Sequence, residues 1–266
     1  MRRQNSLGQI LLGRILLALS IVVLGAFSIA FHDFSPAWQP VPKTIAWHDA
    51  LAIVSGAAFL ASGLALLVPR TAKIGSLALS GLLLLQLLLL HLPRIVAHPS
   101  VEGMWEGMSE NLAQLAGAWT IFSLLARSGG ALSDWSNARA GQILFALALP
   151  AIGLSHFVYV GDTAPLIPAW LPIHVPLAYF TGAAHIAAGL GILLGVLPRL
   201  AATLEAVMVS LFTLLVWVPV VIASPASRFD WVEICVSTAI SGAAWAVAGS
   251  LRVRTRSFAG ESRRDL

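Results

Sequence analysis

Eight apolar runs, each long enough at about 20 residues to cross a hydrocarbon layer of roughly 30 Å, follow one another along this chain. They lie at Ile10–Phe31, Ala50–Val68, Ile74–Leu92, Met108–Ala126, Ala140–Val160, Val175–Val196, Leu200–Ile222 and Val232–Ser250. Inside lipid a segment must satisfy its own backbone hydrogen bonds, so each run predicts a spanning helix. Composition agrees. Of 266 residues 58% are hydrophobic and 11% charged, against roughly 25% charged in a soluble domain. The fold class expected is an all-α polytopic membrane protein with eight transmembrane helices.

Thr181–Gly189 reads Thr-Gly-Ala-Ala-His-Ile-Ala-Ala-Gly, and Ser55–Gly63 reads Ser-Gly-Ala-Ala-Phe-Leu-Ala-Ser-Gly, a shift of 185 − 59 = 126 residues. Pro93 and Pro219, Pro99 and Pro225, Trp105 and Trp231, and Trp119 and Trp245 keep the same spacing. Gly13–Leu16 matches Gly141–Leu144 at 141 − 13 = 128 residues, which makes the first run the start of a repeat rather than a signal peptide. The division predicted is a first four-helix repeat over 1–126, a cytoplasmic linker over 127–139 with Ser128-Gly129-Gly130 as its turn signal, a second repeat over 140–250 and a basic tail over 251–266. Four spans per unit is an even number, so both copies insert in the same orientation, as parallel repeats about an axis along the membrane normal. Small residues at helical spacing in both copies suit close helix contact in lipid.

With the amino terminus in the cytoplasm, every Lys and Arg except Lys43, Arg94 and Arg228 falls on that side. The positive-inside rule therefore predicts both termini cytoplasmic. The net charge of +4 is explained by topology, and membrane lipid rather than nucleic acid is the partner it implies. A single cysteine, Cys235, excludes an internal disulfide and a Cys-x-x-Cys redox pair.

The seven histidines obey no such topology rule, yet all map to the expected outer half. His156 sits in Gly153-Leu154-Ser155-His156-Phe157 near the outer end of the fifth span, and His185 lies near the middle of the sixth. An ionisable group at that depth marks a functional candidate, beside the plainer reading of an imidazole bonded to a neighbouring helix. His91 and Arg94 end the third span and share a face if the helix survives Pro93; a pairing of Arg94 with a carboxylate would bind an anion, a quinone carbonyl or the fourth span. Glu102, Glu106 and Glu110 fall on one stripe of a helix that starts near Pro99. The first two suit its amino-terminal dipole, while Glu110 already lies inside the span. Glu205, near the inner start of the seventh span, reads as a side chain reaching toward water. The segment Ala164–Pro176 is too broken by proline to span and is expected in the interface. Trp38, Trp47, Trp105, Trp170, Trp217 and Trp231 read as an aromatic belt. No His-x-x-x-His or His-Glu-x-x-His spacing occurs, and no metal site is expected.

At these residues the chain resembles the DoxX family of membrane proteins. The carriers are Gly153-x-x-His156-Phe157, the run Ala164-Pro165-Leu166-Ile167-Pro168-Ala169-Trp170-Leu171-Pro172, Tyr179–His185 with Gly189 and Gly191, and Leu197–Ala202. They cover most of the second repeat; the first matches more weakly, at His91–Arg94 and Glu110–Ala113. The resemblance implies a four-helix unit, here doubled, in a bacterial cytoplasmic membrane, associated with a thiosulfate:quinone oxidoreductase or with membrane redox complexes handling thiol stress. Many members of that family carry a glutamate at the place of His185.

Three readings stay open at this level. In one the chain is a membrane subunit of a quinone-linked redox system, non-autonomous as an enzyme, with a soluble redox partner and a quinone held by His91, Arg94, Glu110, His156 and His185. In another it is a transporter or channel for a small solute. In the last it is a scaffold without chemistry.

Overall fold

The computed structural model describes residues 2–126 and 137–251. Most of the expected linker and nearly all of the basic tail lie outside the described residues. Those described are all-helical, with no strand, and seven of the helices are long and apolar enough to cross a membrane. The chain is a polytopic membrane protein.

The long helices are α1 (Arg2–Phe31), α2 (His48–Leu67), α3 (Ala72–Gln86), α5 (Glu102–Ala126), α6 (Ala138–Val158), α8 (His174–Leu194), α9 (Pro198–Phe212) and α11 (Arg228–Ser250). Shorter pieces are α4 (Leu92–Ala97), α7 (Val160–Thr163) and α10 (Val218–Ala223). α5 is long enough to span but does not match the other seven in apolarity, because Glu110, Asn111 and Gln114 interrupt its apolar run. It meets this cost by being central: Ser109, Asn111, Gln114, Thr120 and Ser123 are all buried between helices.

The third span survives Pro93. A π-helical turn, Leu87–His91, joins α3 to α4, so one continuous helix runs from Ala72 to Ala97. Proline has no N–H and crowds the carbonyl four residues back; a wider turn directly before it accommodates the ring. Thr213–Trp217 does the same before Pro219, joining α9 to α10. The two turns start 213 − 87 = 126 residues apart.

Neighbouring helices form a closed ring in which α1 packs on α2, α2 on α3, α3 on α5, α5 on α6, α6 on α8, α8 on α9, α9 on α11 and α11 on α1. α5 and α11 also touch across the middle. Glycines set the closest approaches. A Cβ on Gly25 would stand 2.6 Å from the Gly56 carbonyl oxygen, and one on Gly153 2.5 Å from that of Gly182. At the central crossing a Cβ on Gly117 would stand 2.5 Å from that of Ala243, 243 − 117 = 126 residues further on. The small residues of Thr181–Gly189 thus do what their spacing predicts: Gly182 and Gly189 seat α8 on α6.

The connections 32–47, 98–101, 159–173 and 224–227 gather at one end. Arg228 locks this end together, its guanidinium donating to Asp33 Oδ2 at 3.1 Å and to the Asp33 and Phe34 carbonyls at 2.9 Å each. Trp38 departs from the aromatic belt expected of it. It is 3% exposed, donates its indole N–H to Gln114 Oε1 at 3.0 Å and lies 4.9 Å from the Phe59 ring. The loop after α1 therefore folds inward. Trp47, Trp105, Trp170 and Trp231 lie on the surface.

Candidate functional site

Two adjoining cavities open between the central helices α5 and α11 at the loop-bearing end. The larger, about 570 Å³, is walled by His91 and Arg94 on one flank, Trp217 and Val220 on the other, and Tyr159 and Asp162 above α6. The smaller, about 210 Å³, runs deeper among α6, α8, α9 and α11 and is lined by His156, Thr181, His185, Phe212, Ser237 and Ile240. Glu106, Glu110, Ser155, Trp217 and Glu233 border both.

All five sequence candidates thus line this paired space. His91 and Arg94 face the larger cavity, His156 and His185 the smaller, and Glu110 both. His91 ends the π-helical turn, is buried against Gly107 of α5, and has an Nε2 with no hydrogen-bond partner. Arg94 does not form the carboxylate pair expected as one option. Among the described residues the pairs of basic and acidic side chains lie instead around Asp33 and His48 and between His185 and Glu205.

The deepest feature joins α8 to α9. His185 Nδ1 stands 2.7 Å from Glu205 Oε1, and the two residues are 2% and 1% exposed. Glu205 does not reach toward water as its position near the start of α9 suggests, because a buried imidazole stands within hydrogen-bonding distance. An ionised carboxylate only accepts, so with Glu205 as a carboxylate Nδ1–H donates and Nε2 takes no part in the pair. That Nε2 is buried and without a partner. His156 is oriented in the same way: its Nδ1–H donates to the Ile152 carbonyl at 3.0 Å, leaving Nε2 as the acceptor. The two imidazoles lie 5.1 Å apart between ring centroids, and Phe212 closes an aromatic wall at 6.1 and 6.0 Å from them.

Several members of the site are missed by sequence reasoning. Glu106 reads as a helix-dipole residue and no motif singles out Glu233, yet both border the two cavities. Tyr159 accepts the Gly103 N–H at 3.1 Å and so fastens the start of α5 to the end of α6. Two signals point to missed members: Glu106 shares a helical stripe with Glu110, and Glu205 is a lone acid in an otherwise apolar run. Among the described residues no group of three or more His, Cys, Asp or Glu side chains is placed to hold a metal ion.

No family model, curated protein or solved structure matches the chain.

Proposed function

We propose that this chain is a DoxX-like protein of a bacterial cytoplasmic membrane, built as two parallel four-helix repeats with both termini cytoplasmic, and that it serves as the membrane subunit of a quinone-linked redox system. Three observations support the repeat: the two π-helical turns at one spacing, the matching Gly25/Gly56 and Gly153/Gly182 crossings, and the self-opposed pair Gly117 and Ala243. The basic residues support the orientation.

The observation that carries the functional reading is the buried His185–Glu205 pair, with its unpartnered Nε2 on the wall of a cavity. A quinone takes two electrons, here from a soluble redox partner, and two protons, to become the quinol. His185 Nε2, once protonated, donates to a quinone oxygen, and Glu205 stabilises the imidazolium this requires, as a carboxylate behind a catalytic histidine does elsewhere. Glu106, Glu110 and Glu233 link the wider cavity to the narrower and offer proton carriers between them. Quinone binding to the purified chain in detergent is expected for the wild type and strongly reduced for His185→Phe, the residue of the first unit. Equal binding overturns the reading.

One set of observations favours a second reading, transport of a small cation. The wider cavity carries Glu106, Glu110, Asp162, Asp230 and Glu233 against Arg94 alone, and paired helix irregularities occur in both halves. Cation flux in sealed vesicles that requires the chain and falls with Glu110→Gln would support it; flux independent of the chain disposes of it.

A further inference from the structure

The first unit contains an internal ligand. Its loop carries Pro36-Ala37-Trp38-Gln39-Pro40, and four residues hold this corner inside the bundle. Gln39 donates to Ser55 Oγ at 3.0 Å, Gln86 donates to the Trp38 carbonyl at 2.6 Å, the Trp38 N–H donates to Gln114, and Phe59 packs on the indole.

The residues 126 places further on are Thr181, Phe212, Ile240 and His185, since 181 − 55, 212 − 86, 240 − 114 and 185 − 59 all equal 126. All four line the smaller cavity. The second unit also has the loop motif, Pro168-Ala169-Trp170-Leu171-Pro172, but Trp170 is 70% exposed where Trp38 is 3% exposed. The space that an indole fills in one unit is therefore a cavity in the other.

We propose that the smaller cavity is a binding site for a planar bicyclic ring of indole size, in the space that corresponds to that of Trp38 in the first unit but with its polar edge turned to the opposite wall. Size and chemistry define the class. A cavity of about 150 Å³ takes a benzene ring, so about 210 Å³ takes a bicycle. Gln86 and Gln114, which serve the backbone carbonyl and the N–H of the indole, are replaced by Phe212 and Ile240, so the site does not reproduce recognition of an indole N–H. Polar recognition shifts to the opposite wall, where His185 Nε2 is buried without a partner beside His156. The ligand thus stacks on Phe212 and presents an oxygen-bearing edge to His185, whose Nε2 donates to it once protonated. A naphthoquinone meets both conditions. This inference rests on the two-repeat, quinone-linked reading and names its ring class.

The test uses the full chain in detergent with two probes, 2-methyl-1,4-naphthoquinone and indole, a smaller bicycle that is not a quinone. The wild type is expected to bind one equivalent of either, each excluding the other. Ile240→Phe, which places a ring in the cavity, weakens both by about tenfold or more. Trp38→Ala opens the matching space in the first unit and raises indole binding from one equivalent to two. Wild-type binding of both probes by a folded Ile240→Phe, or the lack of a second equivalent in a folded Trp38→Ala, overturns the ring site. If indole binds and is lost in Ile240→Phe while the naphthoquinone does not bind at all, the ring site stands and the quinone reading falls. Naphthoquinone bound undiminished by Ile240→Phe keeps the quinone reading and removes this site.

Discussion

His185 of α8 and Glu205 of α9 meet at 2.7 Å with almost no exposure of either side chain. Removing one partner of such a pair strands the other in a medium that cannot solvate it, at about 3–5 kcal/mol. Glu205→Ala is expected to lower stability by that amount in a detergent unfolding assay. The double variant His185→Phe/Glu205→Leu recovers most of the loss, because no orphaned polar group remains. A double variant no more stable than Glu205→Ala would show that the two residues act separately.

Gly117 and Gly81 give opposite results from similar substitutions. A side chain at Gly117 collides with Ala243, while a Cβ at Gly81 meets nothing within 4 Å. Gly117→Val is expected to destabilise by about 1–3 kcal/mol through overpacking. Gly81→Ala is expected to stabilise by about 0.5–1 kcal/mol through the helix backbone. Thermal midpoints of the two variants against the wild type check both signs.

Acid sensitivity is expected at the Asp33 cluster. Partial burial pushes its carboxyl up, but the Lys43 ammonium and the Arg228 guanidinium outweigh this and hold it below the ordinary 3.8. A carboxyl lowered by folding contributes stability that is fully present above its unfolded value and is lost as pH falls through its folded value. Midpoints measured from neutral pH to below 3.8 should fall less steeply for Asp33→Asn than for the wild type. Identical slopes would remove Asp33 from the acid limb.

Trp38→Ala deletes a buried indole and leaves Gln114 without its donor. A loss of about 3–5 kcal/mol is expected, partly restored by Gln114→Leu in the same chain. Trp170→Ala, at the surface, should leave the unfolding midpoint unchanged.

The helices were legible in the sequence because lipid imposes one rule on every span, and the glycine contacts because close approach admits few residue types. The stripe Glu102, Glu106 and Glu110 follows from helical periodicity alone, and α5 carries all three. Trp38 was not legible. Its neighbours in sequence are those of an interfacial loop, and its burial depends on Gln86 and Gln114, which lie 48 and 76 residues away. Glu205 was misread for a related reason, since depth along one helix says nothing of what the next helix presents. The candidates His91, Arg94, Glu110, His156 and His185 were found by residue type and depth, whereas their division between two cavities follows from the ring of helices.

That ring also orders the making of the protein. Of the helices in the ring, α1 leaves the ribosome before the others and α11 after them, yet they pack against each other, with Gly13 of one set against Gly242 of the other. Until the last helix is inserted, the first has α2 on one flank and a slight contact with α5, and the polar face of α5 lacks its central neighbour. Both halves consequently depend on the final 23 residues of the ring, Arg228–Ser250, so a stop codon ahead of Arg228 disables the first half as surely as the second.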